Sequence, residues 1–249
     1  MKVDSMKFKG ILSGLMFLIL MCLSISDAAL SFEFADWEHG ATGYELNFMI
    51  AEEEEKPLIL YFHVEDSVWC KKMNENYLAV YEVEEFFSDI PKVDVNPDKG
   101  EFEKALAAKF GVEQFPAFFI TIPSFKTKPQ RIHPFSKDHN MTVNEFIKKI
   151  KGLIVSHYNK KAHSYFGKKE YEKALEYFEK ALGYDPEVVY IYYAMGIIYH
   201  TIASDKNDPA FLKKAEENYL KALKIDPKHK ESKGELEKLR KGMVKTGVK

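Results

Sequence analysis

The sequence predicts an α/β domain built on a central sheet, followed by an all-α repeat domain, and three observations lead there. Leu58-Ile59-Leu60-Tyr61-Phe62 is an apolar, β-prone run between Lys56-Pro57 and a polar turn, and a helical pattern follows it. A second apolar run, Ala117 to Ile122, opens directly after Pro116. From Tyr158 onward, one order of aromatic, small and proline residues occurs twice, which is the mark of stacked helical units.

The amino terminus predicts export. Met1 to Lys9 is basic apart from Asp4, Gly10 to Ile25 is apolar with breaks at Ser13, Gly14 and Ser24, and small residues follow at Ser26, Ala28 and Ala29. This is the pattern of a secretory signal peptide, here residues 1–28, with cleavage after Ser26 or Ala28. The apolar run is shorter than the roughly twenty residues that span a bilayer, so membrane attachment is expected only if the segment stays uncleaved. Cys22 follows the large Met21, which does not suit a lipid-attachment site. The expected location is therefore beyond the inner membrane, in the periplasm. Processing leaves Cys70 as a lone thiol with no internal disulfide.

In the expected first domain, residues 29–154, Glu52 to Glu55 reads as a solvated helix end and Leu58 to Phe62 as a buried strand. Trp69 to Tyr81 has helical apolar spacing at Trp69, Met73, Tyr77 and Val80, which puts Ser67 at or near a helix N-terminus. Pro91 to Val95 is a second strand, and Gly100 to Lys109 a helix stopped at Gly111. Ala117 to Ile122 is a third strand, and Arg131 to Phe135 its hairpin partner. Thr142 opens a further helix, with Glu145 completing a capping box. That helix runs through Ile150 and Ile154 toward Tyr158 and Phe166 with Gly152 as its one weak point, so a rigid fusion to the next domain is expected.

The stretch from about Phe32 to about Ile154 resembles the thioredoxin-like domains of exported bacterial proteins, on its strand-turn-helix entry, its element order and Pro116. The resemblance implies a thioredoxin fold in which Pro116 is cis and faces the active-site cysteines; Phe115 stands where many relatives have a small or β-branched residue. In the family the first cysteine follows the last strand phenylalanine by five positions and lysine follows the second. Phe62 plus five is Ser67, and Cys70 precedes Lys71-Lys72-Met73, so the motif reads Ser67-Val68-Trp69-Cys70 with its first cysteine replaced. A competing register takes Trp69-Cys70 as the head of the motif and puts Met73 second. Neither register has both thiols that dithiol exchange requires. The buried acid of the family corresponds to Tyr61, which removes the proton-transfer partner as well.

The second domain, expected over residues 155–249, resembles tetratricopeptide repeats. Tyr158, Ala162, Tyr165, Ala174, Phe178, Ala181 and Pro186 fit the roughly 34-residue pattern without a gap. Tyr192, Gly196, Tyr199, Ala215, Tyr219, Ala222 and Pro227 repeat it with about seven extra residues near Ala203 to Pro209. Asp185-Pro186 and Asp226-Pro227 stop helices, and Lys228 to Lys241 is a polar cap. The resemblance implies a concave face carrying Asn159, His163, Phe166, Tyr190, Tyr193 and Ile197, with aromatic anchors suited to a protein or extended peptide. The alternative is that these rings pack against the first domain.

A net charge of -2 gives no pull toward nucleic acid, and the eight histidines show no metal-site spacing; His63 reads as an ordinary turn residue. No cofactor motif is present. The expected function is that of an exported adaptor binding an envelope protein, without dithiol oxidoreductase activity. The alternative is a monothiol redox or chaperone-like module that uses Cys70, with Ser67 and Pro116 beside it, to engage substrate thiols or chains.

Overall fold

The computed structural model describes residues 36–246, with side chains to Met243, so the expected signal segment lies outside the described residues. Among the described residues no helix is long and apolar enough to cross a membrane.

The first domain is a five-stranded mixed sheet. Its strands are β1 (Glu38–His39), β2 (Leu58–Phe62), β3 (Lys92–Val95), β4 (Ala117–Thr121) and β5 (Gln130–Ile132), in the spatial order β1-β3-β2-β4-β5. β1 and β2 run parallel to β3, whereas β4 is antiparallel to both β2 and β5. The helices are α1 (Gly40–Glu53), α2 (Val68–Met73), α3 (Tyr81–Phe87) and α4 (Glu101–Lys109). Every residue of β2 and β4 is buried, which explains why both read as continuous apolar runs rather than alternating ones. Leu60, Phe62, Ala117 and Phe119 face Tyr44 of α1 and Leu106 of α4. Tyr61 and Phe118, one residue out of phase, pack with Trp37 and Phe87 on the other side.

Two expectations are corrected, and one pair of elements is added. The pair β1 and α1 precedes the first expected strand; its signals are short, two exposed strand residues and a helix without acidic residues in its first turn. The single helix expected over 69–81 is broken: α2 passes into a π-turn at Asn74–Leu78, Val80 is extended, and α3 restarts from it. The hairpin strand expected over 131–135 is Gln130–Ile132, three residues long.

The capping box is present in full, with Thr142 and Glu145 satisfying each other's backbone N–H. From it α5 (Val143–Gly167) runs unbroken for 25 residues, about 37 Å at the usual helical rise. Its first half buries Phe146 and Ile150 against the sheet domain, and its second half buries Tyr158 and Ala162. The fusion read from the sequence is thus one continuous helix.

Helices α6 (Tyr171–Tyr184), α7 (Val189–Lys206), α8 (Ala210–Ile225) and α9 (Lys230–Thr246) complete the chain. Asp185 and Asp226 are extended, as residues before proline must be, and each side chain accepts the N–H two residues on, so both turns use the same device. The extra residues of the second unit lengthen α7 instead of forming a loop, and Asn207 ends it in the left-handed conformation at φ 50°. Gly196 of α7 lies under the ring of Tyr219: a Cβ there would stand 2.4 Å from a ring carbon. Leu236, Leu239 and Met243 of α9 cover Ala215 and Tyr219 and close the stack.

Candidate functional site

The turn after β2 builds the first candidate site. Ser67 is extended, and its Oγ accepts the Cys70 N–H at 3.3 Å, so the hydroxyl serves as the cap of α2. Cys70 faces the domain interior with 2% exposure, while Val68 and Trp69 are exposed at 66% and 49%. The Trp69 ring lies against Phe135 at 5.3 Å and carries the Lys72 ammonium 4.6 Å from its centroid. Phe115-Pro116 is a cis bond, as the resemblance implies. Ala117 pairs with Phe62, so Pro116 sits at the sheet end from which the turn departs.

Beneath this turn, Tyr61 donates its hydroxyl to Asn74 Oδ1 at 2.7 Å and lies 3.4 Å from the Cys70 carbonyl oxygen. Burial, followed by the neighbouring Cys70, pushes the phenol well above its ordinary range, so it stays protonated and acts as a donor. It stacks on His63 at 5.1 Å.

His63 is more than a turn residue: its Nε2 is 2.8 Å from Asp94 Oδ2, and His39 Nδ1 bonds the other oxygen of the same carboxylate. Burial opposes the Asp94 charge, but the hydrogen bonds from His63 and His39 outweigh it and hold the carboxyl below its ordinary value. An acid in the apolar run Val93-Asp94-Val95 was the sequence signal for this cluster. Among the described residues, no group of three or more histidine, cysteine, aspartate or glutamate side chains is placed to hold a metal ion.

The second candidate site is the repeat face. His163 and Tyr190 come together at 2.9 Å from Nε2 to hydroxyl, Tyr193 joins Tyr190 at 6.4 Å, and His229, just before α9, meets Tyr193 at 5.5 Å. Tyr190 is exposed at 46%. One expected member lies apart from this group, since Phe166 packs on Tyr171, whereas Ile197 packs with Tyr193 into the cluster around Tyr219. Asn159 keeps a buried side-chain oxygen without a protein partner. The expected alternative, packing of these rings on the first domain, is replaced by packing within the repeats and their cap.

A different set of rings meets the first domain. Tyr158 donates to the Glu55 carbonyl oxygen at 2.6 Å and stacks on Tyr184 at 5.7 Å, with Phe125 edge-on at 5.5 Å. The Glu55 carboxylate accepts Tyr177 at 2.7 Å and pairs with Lys180 at 2.6 Å. The reading of Glu52 to Glu55 as a solvated end therefore fails at Glu55. It adopts φ 54° two residues past the end of α1, and this left-handed turn delivers it to the repeat.

Residues 156–188 match the tetratricopeptide repeat family model. No curated protein matches the chain significantly. Among solved structures, a thioredoxin from Thermus thermophilus is similar at 20% identity, over 49% of this chain and 89% of that one, with a TM-score of 0.39. The C-terminal domain of Neisseria meningitidis DsbD in its oxidised form is similar at 18% identity, over 47% and 97%, with a TM-score of 0.38. The first tetratricopeptide-repeat domain of Spaghetti, bound to an HSP90 peptide, is similar at 18% identity, over 37% and 94%, with a TM-score of 0.21. The chain joins a thioredoxin-like fold to a tetratricopeptide-repeat region. Its sheet order, strand directions and helix placement carry the first half of that statement, and the family model carries the second.

Proposed function

We propose that the chain is an exported adaptor that binds an envelope protein through its repeat face and performs no dithiol exchange. The burial of Cys70 behind a serine cap carries this reading. Attack on a disulfide needs an exposed thiolate, and a residue three positions into the helix and 2% exposed suits the resolving position, not the attacking one. A capping serine without a base to activate it is a poor nucleophile. This favours the Ser67-Val68-Trp69-Cys70 register. Export rests on the basic-then-apolar pattern of residues 1–28.

The exposed ring of Tyr190, backed by the half-buried Tyr193 and flanked by His163 and His229, supports the repeat face as the contact surface, since such rings supply area at small entropic cost. A second reading, a module that engages extended chains beside Pro116, draws on the exposed Val68 and Trp69.

Crosslinking pull-down from the native envelope tests the adaptor reading. A protein captured by the chain and lost with Tyr190→Ala plus Tyr193→Ala supports it; capture that survives this double variant and disappears with Trp69→Ala transfers the function to the second surface. For the register, Ser67→Cys is expected to gain disulfide reductase activity, and continued inactivity counts against it.

A further inference from the structure

A cavity lies on the face of the sheet that carries Phe119, away from the Ser67 turn and the repeat face. It is about 540 Å3, within the roughly 300–1,000 Å3 of small-molecule sites. Tyr44 and Phe48 of α1, Phe110 after α4 and Phe119 of β4 form its apolar wall. These rings brace one another, Tyr44 against Phe48 at 5.6 Å and against Phe110 at 5.9 Å, and Phe110 against Phe119 at 5.6 Å. Such a wall resists collapse, because each ring is held by the next.

The rim of this cavity is cationic. Lys109, Lys126 and Lys128 line it against the single acid Glu52. The Lys109 ammonium lies 5.2 Å from the Tyr44 ring centroid, directly at the apolar wall. Lys126 is fixed in the left-handed conformation, its N–H bonded to the Pro123 carbonyl, and Pro123 and Pro129 stiffen the segment that carries both outer lysines. Among the described residues, neither Lys126 nor Lys128 is in an ion pair.

From this pairing of an aromatic slot with a lysine collar, we infer a binding site for a small amphiphile with an anionic head, of the medium-chain carboxylate class. The alkyl chain lies against Tyr44, Phe48, Phe110 and Phe119, where burial of apolar surface drives association. The carboxylate meets the ammonium groups at the mouth, where charge-assisted hydrogen bonds select its sign. The inference is independent of the adaptor reading, since none of these residues belongs to the repeat face or the Ser67 turn.

The test titrates the full chain with decanoate below its micelle-forming concentration, by calorimetry and by amide NMR, beside decanol and decyltrimethylammonium. Saturable decanoate binding is expected, with shifts at Phe48, Phe110 and Lys126. Decanol should bind roughly tenfold more weakly and the cation not measurably. Lys126→Gln with Lys128→Gln, two exposed changes that leave the core intact, should cost decanoate about tenfold or more in affinity. Absence of saturable binding overturns the proposal. Equal binding of all three probes, affinity unchanged in the double variant, or shifts confined to the repeats each do the same.

Discussion

The hydroxyl of Tyr177 donates to the carboxylate of Glu55 at 2.7 Å, joining the first repeat to the end of the first helix of the sheet domain. Lys180 reaches the same carboxylate at 2.6 Å, and Tyr158 takes the carbonyl of the same residue. One glutamate therefore receives three bonds across the junction, while a continuous helix fixes the other side.

Removing the Glu55 side chain should loosen this joint. Glu55→Ala leaves Tyr177 partly buried without its acceptor and Lys180 with Glu176 alone, and a loss of about 1–3 kcal/mol is expected by denaturant unfolding. Glu55→Gln keeps an acceptor for Tyr177 and should cost less. A loss smaller for alanine than for glutamine would contradict the assignment.

The same group sets an acid limit. Burial works to raise the Glu55 pKa, but the bonds from Lys180 and Tyr177 prevail and hold it below the ordinary 4.5. A carboxylate depressed on folding adds stability that is complete above its unfolded value and is lost as pH falls through the folded one. Wild type and Glu55→Gln should thus differ most above pH 4.5 and converge only as pH falls through the lower folded value, as read from melting temperatures across a pH series.

Glycine 196 offers a test with an internal control. In a helix, alanine is ordinarily better than glycine by up to about 1 kcal/mol. The Tyr219 ring reverses this at Gly196, where Gly196→Ala should cost roughly 1–3 kcal/mol through overpacking. Gly234 faces open space in α9, so Gly234→Ala should stabilise. Chemical denaturation of both variants compares the two signs directly.

On the repeat face, burial lowers the His163 pKa below its ordinary 6.5. A histidine depressed on folding contributes most when neutral, so its share of stability is full above that value and fades as pH falls. The Tyr190 contact needs a neutral ring when the imidazole nitrogen is the acceptor, and protonation removes that acceptor. NMR titration of the His163 ring should show the Tyr190 signals shifting with it; a Tyr190 environment indifferent to that titration would contradict the pairing.

The legible parts of this chain were those written in periodicity and caps. The β2 and β4 runs, the Thr142 box and the two Asp-Pro stops each carry a local physical cause, and each stands in the structure where its residues put it. What the sequence hid depends on distant partners. Glu55 reads as one more acid in a row of four until a left-handed turn brings it to Tyr177, 122 positions away. Asp94 and His39 are joined only once β1 pairs with β3, and β1 is two residues long. The break at Val80 was hidden for a related reason, since apolar spacing continues through a π-turn that Asn74 enters while holding Tyr61. Of the residues expected on the repeat face, His163, Tyr190 and Tyr193 meet and Ile197 packs beside Tyr193 on the Tyr219 cluster, whereas Phe166 turns to Tyr171.

The proposal of a binding protein without dithiol chemistry depends most directly on Cys70. Labelling the folded chain with a thiol reagent at neutral pH, against the same chain unfolded, measures whether that sulfur is available. Labelling slowed by orders of magnitude on folding, and restored on unfolding, is the predicted result. Labelling of native Cys70 as fast as that of the unfolded thiol would contradict it and return the chain to the redox class.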